Sequence, residues 1–239
     1  MSKGFLLAFF CLAIGYSAKS QENWGGGVDD ERLNFGFQFN YVSSEFKMLK
    51  AENWQELPSP VGGEANMLRA VGASSKPGFG IGLVSNLKMT DHTDLRFTPS
   101  MTFADKELQF AFANEELYNK VVQSTFIDLP LGVKLKSDRR GNFRAYMIAG
   151  GKYSRNIVSK KKLDDTELVD EEKFIANKRG FFSYEAGLGL DFYFEYFKMS
   201  PEIKFSQSFN NVLNRRDNHF DRSLDRLYHK GIQISLFFE

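Results

Sequence analysis

The chain has three histidines, His92, His219 and His229, and a single cysteine, Cys11. On paper His229 can be combined with Asp221, Ser223 and Asp225 into a nucleophile, a base and an orienting acid. A lipase, acyltransferase or protease at a membrane surface would need such a set. The stretch around it, Asn210 to Lys230, reads as a long, mostly polar connection, and a polar loop assembles hydroxyls, acids and a histidine by composition alone. The expectation is therefore a protein that is not an enzyme. His219 and His229 have no metal-ligand spacing around them. The glycines alternate within extended segments and do not open a helix, so no phosphate loop is present. No cofactor, no metal, no nucleic acid and no small-molecule substrate is expected.

A second set of chemically able residues is charged and regularly spaced. Arg96, Asp128, Lys134, Lys136, Arg144, Glu185, Asp191, Glu195, Glu202 and Lys204 each occupy the polar parity of a segment that alternates apolar and polar residues. The clearest such segment is Ser183 to Ser206. There Tyr184, Ala186, Leu188, Leu190, Phe192, Phe194 and Tyr196 form an apolar row opposite Glu185, Gly187, Gly189, Asp191, Tyr193 and Glu195. After a tight reversal at Tyr196–Phe197, Met199, Pro201, Ile203 and Phe205 alternate with Lys198, Ser200, Glu202, Lys204 and Ser206. A period of two predicts β-strands, here a hairpin with one apolar and one polar face.

The same alternation predicts strands in 33–41, 77–89, 94–103, 125–138, 142–153 and 231–239, eight in all with the hairpin. Pro99 cannot donate to a ladder and is read as a bulge. Between these segments, 44–76, 154–180 and 210–230 read as long polar loops, and 104–120 as a longer polar stretch with room for a short helix. Thr90–Thr93, Ser137–Gly141 and Tyr196–Phe197 read as short turns. Connections that alternate long and short around an even number of strands match an up-and-down outer-membrane barrel, with brief periplasmic turns and long outer loops. The predicted fold is all-β, an eight-stranded antiparallel transmembrane β-barrel integral to the outer membrane. Its apolar row would face outer-membrane lipid, with Tyr184 and Tyr196 as interfacial anchors.

Eight strands leave room only for side chains. The inward acids and bases are then expected to pair as a structural plug, because unpaired buried charge is costly.

Composition agrees. Of 239 residues 15% are aromatic, 25 of them Phe, yet mean hydropathy is −0.36. After the N-terminus no apolar run is long enough for a spanning helix. Residues 1–20 have the form of a signal peptide: Lys3, an apolar run from Phe5 to Tyr16, and Ala18-Lys19-Ser20 as the cleavage site. Residues 21–32 read as a flexible lead-in and 33–239 as the barrel. Cleavage would remove Cys11 and leave 29 basic against 30 acidic residues, with no basic excess for nucleic acid.

PGFGIGLVSNLKM with DLRFTPS, TFIDLPLGVKLKSD, YEAGLGLDFYFEYFKMSPEIKFS with SFNNVL, and the terminal ISLFFE resemble the PorT family. This family comprises outer-membrane β-barrel proteins of the Bacteroidetes type IX secretion system. The likeness covers most of Gly78–Glu239 and weakens in Ala104–Lys120 and Arg155–Gly180; FEYFKMSPEIKFS is its most specific piece. It implies a non-enzymatic component of protein export, with other type IX secretion components as partners and no catalytic residues to transfer. Eight strands are too few to pass folded cargo, so the implied role is accessory or in assembly beside a larger translocon. The alternatives are a passive structural or adhesive barrel and a lipid-modifying enzyme.

Overall fold

The computed structural model describes residues 29, 31–56, 67–113, 117–122, 124–157, 178–213 and 223–239. The expected signal peptide, most of the lead-in, and the centres of three long loops lie outside these residues. Among the described residues strands carry the architecture, with one 3₁₀ turn at Trp54–Glu56. β1 (Leu33–Lys50), β2 (Leu68–Thr90), β3 (Thr93–Phe97), β4 (Ser100–Phe103), β5 (Lys106–Phe112) and β6 (Leu117–Val122) form the first half. β7 (Thr125–Lys136), β8 (Phe143–Asn156), β9 (Gly180–Tyr193), β10 (Lys198–Ser208) and β11 (Leu224–Phe238) form the second.

Antiparallel pairing runs β1-β11-β10-β9-β8-β7-β3-β2 and closes when β2 pairs with β1, making a ring of eight. β4 continues the position of β3, pairing with the same two neighbours, β2 and β7. In the ring, Phe37 pairs with Phe238 on one side and Leu83 on the other, and Arg144 pairs with Asp191.

The closed ring is inside out. Phe35, Phe79 and Leu83 are 64–69% exposed on the outer wall, whereas Arg96, Lys134 and Asp191 are at most 1% exposed within. That inversion suits a barrel whose outer surface meets hydrocarbon and not water. The turns at 91–92, 137–142 and 194–197 lie at the same end as both termini of the ring. The longer connections lie at the other end, which is the extracellular end for an outer-membrane barrel.

Several expectations change. The described residues of 104–120 form not a helix but the hairpin β5–β6, which pairs with the outer half of β2. The reason is parity: Lys106, Leu108, Phe110 and Phe112 point inward, a period of two hidden by the charged residues between them. β1 runs on to Lys50, β2 begins at Leu68 and β11 at Leu224, so much of the expected loop sequence is strand above the membrane. Pro99 is not a bulge. Phe97 to Ser100 spans three residues, matched by three on β2 (Ser85 to Gly82) and three on β7 (Leu131 to Asp128), so no residue is inserted. Lacking an N–H, Pro99 only interrupts the ladder, while its carbonyl still accepts from the Leu83 N–H at 2.9 Å. The reversal of the β9–β10 hairpin takes four residues, Phe194–Phe197, closed by the Phe194 N–H on the Phe197 carbonyl at 2.9 Å. Glu195 therefore leaves the strand before its parity can carry it inward, and it is exposed at the turn.

Candidate functional site

The interior divides into three levels. At the periplasmic end, short strands with polar inward residues bring six cations and six acids into contact. Arg96 on β3 is the hub. Its Nε donates to Asn86 Oδ1 at 2.7 Å, Nη1 to Glu202 Oε2 at 3.0 Å, and Nη2 to Glu239 Oε1 at 3.0 Å. The guanidinium also lies 4.6 Å from the Phe237 ring centroid, close enough for a cation–π contact. Tyr146 on β8 donates to Glu202 Oε2 at 2.8 Å, and Lys134 sits 3.8 Å above its ring. Lys134 Nζ reaches both oxygens of Asp191 at 2.8 Å, and Ser200 Oγ donates to the same carboxylate at 2.6 Å.

The remaining pairs are Lys204 with Glu185 (3.1 Å) and Glu202 (3.3 Å), Lys136 with Asp94 (2.7 Å), and Lys198 with Glu239 (2.6 Å). Glycines make this packing possible. A Cβ at Gly189 would strike the Tyr146 ring, and one at Gly187 the Lys204 side chain.

Asp29 closes the mouth. It precedes β1, in the segment expected to be a flexible lead-in, yet it takes the Tyr193 hydroxyl at 2.5 Å and Arg144 Nη1 at 3.2 Å, with Lys198 Nζ at 3.6 Å. Burial alone would push its carboxyl up. Lys198, the Tyr193 hydroxyl, Lys136 and Arg144 outweigh that and hold it below the ordinary carboxylate value.

The middle level holds Asp128, which forms no ion pair among the described residues. Its oxygens accept from Thr102 Oγ1 at 2.8 Å and Ser154 Oγ at 2.5 Å. The upper level is apolar: Phe46, Leu68, Val71, Leu108, Phe110, Phe112, Phe126, Phe181, Leu224 and Leu227 form one buried cluster with Val212 and Leu213.

Of the charged residues expected in the lumen, Arg96, Lys134, Lys136, Arg144, Glu185, Asp191, Glu202 and Lys204 are brought together in ion pairs. Asp128 lies apart from them, and Glu195 is outside. Sequence reasoning missed Asp29, Lys198, Glu239 and Tyr146 as members. Glu239 was detectable by carrying the parity of Ile232, Ile234, Leu236 and Phe238 one step further. Lys198 stood on the polar row of its strand. Tyr146 shared the inward parity of Arg144 but was hidden by its aromatic ring, and Asp29 carried no such signal.

The residues combined on paper into a catalytic set have different surroundings. His229 stacks on Phe181 at 4.2 Å and lies 5.0 Å from Phe46, inside the apolar level. Asp225 is half exposed beside Arg226 at 3.4 Å, Ser223 is buried, and His219 and Asp221 lie outside the described residues. His92 bonds Asp138 at 2.9 Å in the exposed periplasmic turns. Among the described residues, no group of three or more His, Cys, Asp or Glu side chains could hold a metal ion.

A closed ring of eight antiparallel strands, apolar outside and charge-paired inside, is an integral outer-membrane barrel. The chain belongs to the family described as outer membrane protein beta-barrel domain, whose model matches residues 18–214. No curated protein matches it in sequence. Similar solved structures include Neisserial surface protein A, at 10% identity over 87% of this chain and 98% of that one, TM-score 0.43. Another is the attachment invasion locus protein Ail of Yersinia pestis, in complex with the heparin analogue sucrose octasulfate, at 12% identity over 87% and 99%, TM-score 0.37. OprG of Pseudomonas aeruginosa matches at 11% over 86% and 92%, TM-score 0.40.

Proposed function

We propose that this barrel is a non-enzymatic subunit required for type IX protein secretion, acting beside the translocon and not as the conduit. The resemblance of Gly78–Glu239 to the PorT family supplies the system. The observation that supports an accessory role is the filled interior. Arg96, Lys134, Lys204 and their acids occupy one end and the Phe/Leu cluster the other, leaving no bore for a polypeptide among the described residues. Its partners in this reading are other secretion components, met through the extracellular strands or the periplasmic turns.

A second reading, a structural or adhesive barrel, draws on the apolar cluster under the outer strands, which would brace an extracellular binding surface. Deleting the gene separates the two. Loss of type IX cargo from the medium, with cargo retained in the periplasm, is expected for the secretion subunit. Normal secretion would overturn that role and leave the structural one.

A further inference from the structure

The middle of the lumen breaks the rule that governs its periplasmic end. There every buried cation has a carboxylate within 4 Å. One level higher, Lys106 and Lys152 line a cavity of about 50 Å³ together with Asp128, Ser44, Ser154 and Ser183. Among the described residues, neither lysine has a carboxylate partner. Lys106 is 2% exposed, and among the described residues the polar contact of its ammonium is the Ala104 carbonyl at a long 3.4 Å. Its other neighbours are the faces of Phe126 at 4.8 Å and Phe46 at 5.6 Å.

The neighbouring carboxylates are committed elsewhere, among them Asp105, which accepts from the Ser124 N–H at 2.9 Å. Asp128 is capped by two hydroxyls, Glu185 holds Lys204, Glu45 holds Lys230, and Glu107 holds Lys76. With both lysines protonated, two of them against one lining carboxylate would leave the chamber one positive charge in excess, in a place where uncompensated charge is expensive. A further donor is ready there, since the buried Ser44 hydroxyl has no hydrogen-bond partner. Drug-sized ligand pockets are several-fold larger, roughly 300 Å³ and above. The cavity admits an ion and excludes a sugar or an acyl chain.

We propose that this chamber binds one small monovalent inorganic anion of the halide class, held by the ammonium groups of Lys106 and Lys152 with Ser44 as a hydroxyl donor. The anion completes the charge balance of the lumen and ties the outer half of the barrel, through Lys106 on β5, to the wall at β8. The site is independent of any role in secretion.

Bromide is the probe. Crystals of the full mature protein grown in sodium bromide should show an anomalous peak in the chamber, within about 3.5 Å of Lys106 Nζ. The melting temperature in detergent should rise with bromide at constant ionic strength, against sodium gluconate, whose anion is too large to enter. Lys106→Met and Lys152→Met should each flatten that rise. Should Lys106→Met fail to fold, Lys152→Met and the anomalous map decide the matter. Density without anomalous signal, or an equal bromide response in the wild type and Lys152→Met, would overturn the assignment.

Discussion

Arg96 shows how much one residue can decide in a filled barrel. It holds Glu202 of β10 and Glu239, the residue after β11, at once, and all three side chains are essentially inaccessible. Removing one member of a buried ion pair strands the charge of the other, typically at a cost of about 3–5 kcal/mol. Arg96→Met should therefore lower the melting temperature sharply, read by the heat-dependent gel mobility of the folded barrel. Adding Glu202→Gln should recover part of the loss, because the stranded charge is gone. Glu195→Ala, at the exposed turn, should leave melting unchanged. Asp29 adds a pH dependence. Its carboxyl is held below its ordinary value when folded. Its contribution is thus complete above the unfolded pKa, near 4, and is lost as pH falls through the lower folded value. The melting difference between wild type and Asp29→Asn should be constant from about pH 8 to 5 and shrink below about pH 4. A difference that grew on acidification would contradict the ion pairing.

At the level of the strand, the lumen row and the lipid row are separated by one residue, so a single position tests the assignment of faces. Leu188 lies midway along β9, 60% exposed between Met147 and Ile203, while its neighbours Gly187 and Gly189 point inward. Leu188→Arg should destabilise the inserted barrel by about 2–4 kcal/mol, the cost of a cation on the lipid face near the midplane. Folding yield into lipid vesicles measures it, and a yield equal to wild type would reverse the faces. This alternation made β9 and β10 legible from sequence, since Glu185, Asp191, Glu202 and Lys204 stand at regular polar parity. It concealed β5–β6 because the inward residues there are Leu108, Phe110 and Phe112, with Lys106 below them. Above the membrane the water-facing side is polar and the interior apolar, so the code inverts along β2, β5 and β11. A pattern sought with one polarity reads the inverted part as loop. Tyr146 escaped for a related reason: an aromatic ring in a polar lumen serves there as a hydrogen-bond donor and a cation–π face.

Across the whole molecule, the two ends of the interior are closed by opposite means arranged in series. The periplasmic seal is electrostatic, six cations against six acids from Asp29 to Glu239. The extracellular seal is hydrophobic, built where Leu108 and Phe110 of β5 meet Phe46, Phe126 and Phe181. Water or ions crossing the barrel must pass both, so either seal alone suffices to block the path. The wild-type protein in planar bilayers should show no conductance steps. Phe110→Ser, which opens only the outer seal, should stay silent, as should Arg96→Ala combined with Glu202→Ala, which opens only the inner one. Steps should arise when all three substitutions are combined in a variant that still folds by the gel-mobility criterion. Steps in the wild type would mean that the charged lumen is itself a conduit, and the accessory role proposed for this barrel would lose its physical basis.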